Sequence, residues 1–197
     1  MKTLEEPRVL EEPRVRRWTR DEYYKMGEIG FFEGQRVELI DGEVVEMAPP
    51  GNPHCVALAL IDNALRGVFG PGYWIRLQMP LAISARSEPV PEVAVVPGKP
   101  RDYKEHPSTA LLVVEVSVSS LSYDRGRKAS LYAGAGVEDY WVLNVLDRQL
   151  EVYREPVADP AQPFGFRYAS RTVLGEAEAV SPLAVPHAQL KVAEMLP

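Results

Sequence analysis

The chain has 197 residues, 46% of them hydrophobic, which suits one compact α/β domain. Its net charge of −6 excludes a protein that coats nucleic acid through a uniformly basic surface. The single cysteine excludes an internal disulfide and fits a reducing cytoplasm. No apolar run has the length of a membrane span or the pattern of a secretory leader, so we expect a soluble, cytoplasmic protein without membrane contact.

A hexapeptide repeat, LEEPRV, opens the chain at residues 4–9 and 10–15. Two copies are too short for a solenoid, and the prolines limit helix formation. We therefore predict a flexible N-terminal arm over residues 1–16. Strand and helix patterns alternate through the rest without a linker, which predicts a single domain over residues 17–197.

A short helix and a hairpin are predicted next. Thr19, with Glu22 three residues later, forms the capping box of a helix start. Residues 35–40 and 43–48 then flank an Asp-Gly dipeptide, which is typical of a tight hairpin turn.

A longer helix and a strand follow the hairpin. Asn52 is a favourable N-cap, and Pro53 suits the first helical position. Apolar residues then recur at helical spacing as far as Phe69. The sequence Gly-Pro-Gly at 70–72 ends this helix, and residues 73–83 are predicted as one long strand.

The stretch 111–118 has the pattern of a buried strand with a carboxylate in its middle. Alternation places Leu112, Val114 and Val116 on one face, and Val113 and Glu115 on the other. An unpaired carboxylate in a packed strand costs several kcal/mol or takes up a proton. Glu115 therefore requires a partner, which is a cation, a strong hydrogen-bond donor or a metal ion.

A second strand-like run, residues 90–96, carries Glu92 near its start. Its alternation partners Val90, Ala94 and Val96 are apolar, so we expect Glu92 to point inward with them.

The C-terminal part is predicted to continue the α/β pattern. A helix over residues 124–133 ends at two glycines, and strands over 137–145 and 150–153 flank a turn. A strand over residues 166–173 and a short amphipathic helix near the end complete the chain.

Two acids and a lysine around one sheet are the residues that metal-assisted phosphodiester hydrolysis uses. Glu115 either ligates a metal or pairs with an arginine. Lys128 either forms an ordinary helical ion pair with Asp124, four residues earlier, or acts on the attacking water and the phosphate. The backbone carbonyl of Val116 could complete a shell of hard oxygen ligands.

Four other residues are candidates with two interpretations each. Glu38 is either a further metal ligand or part of a solvated strand face, and His54 either contacts a ligand or caps and packs its helix. Arg125 and Arg127, beside Lys128, either contact the nucleic-acid backbone or face solvent.

Three strings in fixed order identify a resemblance that covers about Trp18 to Tyr153. They read VELIDGEVVEMAPPGNPH, EPVPEVAVV and LLVVEVSVSSLSYDRGRKASLYAGAGVEDYWVLNV. They resemble the Uma-two (Uma2) family of the PD-(D/E)XK superfamily. The resemblance implies a restriction endonuclease-like α/β fold, whose mixed central sheet is flanked by helices, with an added N-terminal hairpin and C-terminal strands.

The resemblance also implies a metal-dependent endonuclease that hydrolyses DNA with Mg²⁺, for which Mn²⁺ can substitute. Glu92, Glu115 and Lys128 match the catalytic positions. The implied metal ligands and further site residues are Glu92, Glu115, Val116 and Glu38, and then His54 and Asp124.

One position departs from the family pattern, because Glu92 stands where the family has aspartate. The carboxylate therefore reaches about one carbon–carbon bond, ~1.5 Å, further from the backbone.

We expect a homodimer, because cutting both DNA strands requires two sites. The alternative is a catalytically inactive endonuclease-like module that binds DNA or protein. A carboxylate-pair glycosidase is a weaker alternative, because nothing in the sequence indicates a sugar-sized groove.

Overall fold

The structure is a computed structural model that describes residues 14–197. The predicted arm therefore falls mostly on residues 1–13, outside the described part. The helices and strands in chain order are α1 (Arg20–Glu28), β1 (Val37–Ile40), β2 (Glu43–Glu46), α2 (Asn52–Val68), β3 (Tyr73–Leu77), β4 (Val93–Pro97), β5 (Leu112–Ser117), α3 (Leu121–Tyr123), α4 (Ala129–Gly134), β6 (Asp139–Asn144), β7 (Gln149–Ala158), β8 (Phe166–Gly175), β9 (Ala179–Val180) and β10 (Leu190–Lys191). A π-helical turn, Asp124–Lys128, joins α3 to α4, and 3₁₀ turns lie at Pro100–Asp102 and Val192–Glu194.

The predicted mixed central sheet is confirmed. Its six strands lie in the order β3-β4-β5-β6-β7-β8, and β1–β2 and β9–β10 form separate two-stranded pairs. Strands β5 and β6 are parallel, whereas every other neighbouring pair in the six-stranded sheet is antiparallel. The parallel pair needs a crossover connection, which α3, the π-turn and α4 provide.

The sheet is covered on both faces, as the apolar content of its central strands requires. One face packs against α2 and the C-terminal segment, through Ile61, Leu65 and Met195 among others. The other face packs against α4, where Tyr132 lies against further tyrosines of the sheet. Strand β5 is central, and all six of its residues are buried.

The alternation predicted for β5 is confirmed. Leu112, Val114 and Val116 belong to the core cluster beneath α2, and Val113 belongs to the cluster beneath α4. Glu115 shares the face of Val113, and its carboxylate therefore points toward α4 and the turn that precedes it.

The capping box and the hairpin are also confirmed. The Thr19 hydroxyl accepts a hydrogen bond from the Glu22 backbone N–H, and the Glu22 carboxylate accepts one from the Thr19 N–H. Asp41 and Gly42 both have positive φ, as a tight turn between right-twisted strands requires. A Cβ on Gly42 would lie 2.8 Å from the Trp18 backbone nitrogen, so the turn also needs glycine for close packing.

Several predicted boundaries are wrong. The strand predicted over residues 73–83 ends at Leu77, because Gln78 adopts a positive φ and the chain turns there. Helix α2 begins one residue early, with Gly51 as N-cap and Asn52 already helical. The predicted C-terminal helix is a single 3₁₀ turn, Val192–Glu194.

Strand β4 begins at Val93, so Glu92 precedes the strand instead of alternating within it. Among residues 14–197, no helix combines the length and apolarity that crossing a membrane requires.

Candidate active site

A cleft of about 360 Å³ lies between the β1–β2 hairpin, the start of α2, and the turn that joins β5 to α4. All of the sequence-predicted site residues line it, namely Glu38, His54, Glu92, Glu115, Val116, Asp124 and Lys128. They come from five separate segments of the chain, so the fold brings together residues that are far apart in sequence.

Lys128 and Glu115 form the innermost contact of the cleft. The Lys128 ammonium donates to Glu115 Oε1 at 3.0 Å and lies 3.4 Å from Glu38 Oε2. The Tyr132 hydroxyl donates to the same Glu115 oxygen at 2.8 Å. Glu38, Glu115 and Lys128 are only 1%, 3% and 5% exposed, so this contact is buried.

Glu38 is therefore a buried acid and not part of a solvated strand face. Its Oε2 also accepts a hydrogen bond of 3.0 Å from the Val90 backbone N–H. Strand β1 positions the side chain, and the segment before β4 fixes it with that backbone donor.

Glu92 occupies the other side of the cleft, nearer to solvent. Its two oxygens contact His54 Nε2 at 3.0 Å and Gln78 Nε2 at 2.9 Å. The interpretation of His54 as a residue of the site is supported by this contact. Helix α2 presents His54 from its first turn, and the turn after β3 presents Gln78.

The ordinary ion pair expected between Asp124 and Lys128 is replaced by other contacts. Asp124 Oδ2 accepts a hydrogen bond of 2.6 Å from the Ser120 hydroxyl, while Lys128 turns toward Glu115. The two residues lie at the ends of the π-turn, in which the Ala129 N–H reaches the Asp124 carbonyl five residues back.

The carboxyl groups of Glu38, Glu92, Glu115 and Asp124 share the cleft with the Lys128 ammonium, and the half-buried Arg36 and the exposed Glu46 also line it. Desolvation is the largest cause of the pKa shifts of Glu115 and Asp124, and the neighbouring charges modify them. Burial raises the pKa of Glu115 to about 8, because the effect of Lys128 is outweighed by desolvation and by the neighbouring acids. Burial also raises the pKa of Asp124. The negative neighbours raise the pKa of Lys128 despite its burial.

Glu92 shows the opposite shift. Burial alone would raise its pKa, but the hydrogen bonds from His54 and Gln78, together with the charge of Lys128, lower it below the ordinary value. Glu92 therefore stays ionised more readily than Glu115 or Asp124.

The donor chemistry of the cleft fits a hard divalent cation. Carboxylate and carbonyl oxygens are the ligands that Mg²⁺ prefers, and Val116 lines the cleft beside Glu115. Two buried polar atoms of the cleft, His54 Nδ1 and the Tyr123 hydroxyl oxygen, have no hydrogen-bond partner among the described residues. Within residues 14–197, however, no three His, Cys, Asp or Glu side chains form a ready metal site.

Sequence reasoning missed two residues that position the acids. Tyr132 lies one helical turn after Lys128, so the spacing could have identified it. Gln78 had no signal, because residues 73–83 read as one continuous strand. Arg125 and Arg127, expected to contact nucleic acid or to face solvent, form ion pairs with Glu151 and Glu43, and Arg125 is exposed.

Comparison with known proteins identifies the family and the fold. The model of the Uma2 family, described as "Putative restriction endonuclease", matches residues 20–193, and the chain therefore belongs to that family. The resemblance found in the sequence is thus confirmed.

A solved structure gives the same fold. The crystal structure of a "putative nuclease belonging to DUF820" from Anabaena variabilis ATCC 29413 matches with a TM-score of 0.64 and 14% sequence identity. The match covers 90% of this chain and 96% of that chain. No curated protein matches.

Proposed function

We propose that this member of the Uma2 family is a metal-dependent endonuclease that hydrolyses phosphodiester bonds of DNA. One observation carries the proposal: four carboxyl groups and one buried lysine converge in a single open cleft. These carboxyl groups outnumber the Lys128 ammonium, and a divalent cation would stabilise their ionised forms. Mg²⁺ is the proposed cation, with Mn²⁺ as a substitute.

The residues that would hold the cation are Glu38, Glu92 and Glu115, with the carbonyl of Val116. When bound, the cation would polarise the phosphodiester and lower the pKa of a coordinated water. Because the Lys128 ammonium contacts Glu38 Oε2 and Glu115 Oε1, the other oxygen of each carboxylate would be available to the cation.

In this proposal, Lys128 supplies a positive charge at a fixed position. Its ammonium is fixed by buried carboxylates, so its position is set before the substrate arrives. A fixed positive charge beside the phosphate stabilises the negative charge that develops in the transition state. Tyr132 is a positioning residue, because its hydroxyl holds the Glu115 carboxylate in place.

His54 and Asp124 act at the edge of the site. His54 holds Glu92 by the contact of 3.0 Å, so it orients the acid that lies nearest to solvent. Asp124, fixed by Ser120, adds negative charge at the end of the π-turn and could receive a proton from the attacking water.

We further propose that two copies act together in the cytoplasm. Each chain has one such cleft, and cutting both strands of DNA requires two. The net charge of −6 means that contact with DNA must be local to the cleft and its rim.

Calorimetric titration with Mg²⁺ and Mn²⁺ tests the proposal, followed by cleavage assays on single-stranded and duplex DNA. Glu115→Ala and Glu92→Gln should each abolish or strongly weaken metal binding and cleavage. Glu138→Gln is the matched control, because Glu138 is an exposed acid outside the cleft. Metal binding that is equally strong in all variants would contradict the proposed ligands.

An inactive endonuclease-like module that binds DNA is the second candidate. The observation that favours it is the Lys128 ammonium, which satisfies the two innermost acids without a metal. The absence of metal binding and cleavage in the wild type, with DNA bound, would support this candidate.

A further inference from the structure

Arg76 on β3 is a buried guanidinium without a carboxylate partner among the described residues. It is 2% exposed, its Nη2 donates to the Pro80 carbonyl at 2.7 Å, and its Nε has no hydrogen-bond partner. The guanidinium lies over the Trp74 ring, 4.4 Å from the ring centroid. Arginine stays charged in proteins, so a buried, uncompensated guanidinium is costly.

Other basic and aromatic groups surround Arg76. A hollow of about 380 Å³ lies between α1, β3 and the loop 103–106, and we refer to it as the Arg76 hollow. Its lining includes Arg20, Trp74, Arg76, Tyr103, Lys104 and His106. His106 Nδ1 lies 3.3 Å from Arg76 Nη2.

The balance of charge in the Arg76 hollow favours an anion. Arg20 is neutralised by its ion pair with Glu88, and two exposed residues of opposite charge, Lys104 and Glu105, also line the hollow. The buried Arg76 therefore leaves a net positive charge in this space. Burial also lowers the pKa of Arg76, as expected for a guanidinium whose charge is not compensated.

A third depression borders both the Arg76 hollow and the cleft. This depression, of about 600 Å³, shares Tyr24 with the Arg76 hollow, and Arg36 and Met47 with the cleft. Tyr23 and Phe32 line it, with ring centroids 5.2 Å apart. Aromatic side chains of this kind accept stacked nucleobases.

We propose that the Arg76 hollow binds a phosphate group of the nucleic-acid strand whose scissile bond lies in the catalytic cleft. The third depression then holds the nucleotides that lie between the Arg76 hollow and the cleft. A phosphate would supply the anion that Arg76 lacks and accept hydrogen bonds from the guanidinium and from Lys104. This inference rests on the proposed function for its ligand, but the binding needs no cleavage.

Fluorescence anisotropy tests the inference, with a labelled single-stranded oligodeoxynucleotide and with the corresponding duplex, in EDTA. Arg76→Met should weaken oligonucleotide binding about tenfold and Lys104→Ala about threefold. Each variant should also have a shallower slope of log K against log salt concentration, by about the amount that one phosphate contact contributes. Lys191→Ala is the matched control, because Lys191 is an exposed lysine on β10. It should bind as the wild type does.

Two further measurements separate the possible results. Arg76→Met removes a buried hydrogen bond, so circular dichroism is used to check that this variant is folded. If Arg76→Met is unfolded, the binding of Lys104→Ala decides the test. Inorganic phosphate should raise the melting temperature of the wild type at constant ionic strength and leave that of Arg76→Met unchanged.

The results also distinguish this inference from the proposed function. Unchanged oligonucleotide binding in both variants overturns the inference, even where inorganic phosphate still stabilises the wild type. Binding that depends on Arg76, without cleavage in Mg²⁺ or Mn²⁺, refutes the nuclease and leaves the inference standing. Cleavage with wild-type efficiency in folded Arg76→Met overturns the inference alone.

Discussion

Replacing Glu115 with glutamine should remove a pH dependence of stability that the burial of this carboxyl creates. Burial raises its pKa from the ordinary value of 4.5 to about 8 in the folded protein. The folded state therefore binds more protons than the unfolded state between these values, and the free energy of unfolding falls as the pH rises through them. This contribution to stability is fully present below about pH 4.5 and is lost above about pH 8.

The size of the effect follows from the shift in pKa. At about 1.4 kcal/mol for each pKa unit, the free energy of unfolding lost between pH 4.5 and pH 8 is on the order of 5 kcal/mol. This is an upper limit, because entry of water and relaxation of side chains reduce the cost of a buried charge. Glutamine has nearly the same shape as neutral glutamic acid, and its carbonyl oxygen can still accept from Tyr132 and Lys128.

Urea denaturation in EDTA, at several pH values between about 5 and 8.5, measures this difference. Wild type and Glu115→Gln should have similar stability at the acidic end, and the variant should be the more stable protein at the alkaline end. The raised pKa of Asp124 leaves a slope of the same sign in both proteins. Parallel stability profiles would refute the reasoning, and Glu138→Gln should follow the wild type throughout.

Lys128→Met should lower the free energy of unfolding by about 3 kcal/mol in urea denaturation at neutral pH, because it leaves buried acids without their cation. It should also reduce DNA cleavage on the order of a hundredfold, and undiminished cleavage would exclude Lys128 from catalysis. Glu92→Asp should weaken Mn²⁺ binding in calorimetry, because the shorter side chain cannot contact both His54 and the Gln78 amide. Tighter Mn²⁺ binding would contradict this prediction. Leu143→Ala, in the fully buried core, should cost about 2–5 kcal/mol in urea denaturation, and a loss below this range would show that the core relaxes around the cavity.

The features that the sequence predicts well are those decided within a few residues. Alternation around Glu115 depends only on the two-residue period of a strand, and the capping box depends on Thr19 and Glu22 alone. The Asp-Gly turn likewise encodes its own geometry. These local rules correctly predicted the face of β5 that carries Glu115, and they correctly predicted the β1–β2 hairpin.

Features that depend on distant contacts were not predictable in this way. Residues 73–83 read as one strand because their apolar pattern continues, yet Gln78 turns the chain and its side chain reaches Glu92. The burial of Glu38 likewise depends on a backbone donor at Val90, 52 positions later. The sequence identified Glu38 as an acid on a strand, but it left open whether this acid is a metal ligand or part of a solvated face.

The π-turn before α4 shows how irregular backbone can aim a site. Its hydrogen bond spans five residues instead of four, which inserts one extra residue into the helical path. One residue corresponds to about 100° of rotation in an α-helix, so the insertion decides which face of α4 points toward β5. With the insertion, Lys128 and Tyr132 both reach Glu115 Oε1, and Asp124 lines the same cleft. A regular helix of the same sequence would rotate Lys128 and Tyr132 together relative to Asp124, so the irregular turn explains how all three residues reach one site.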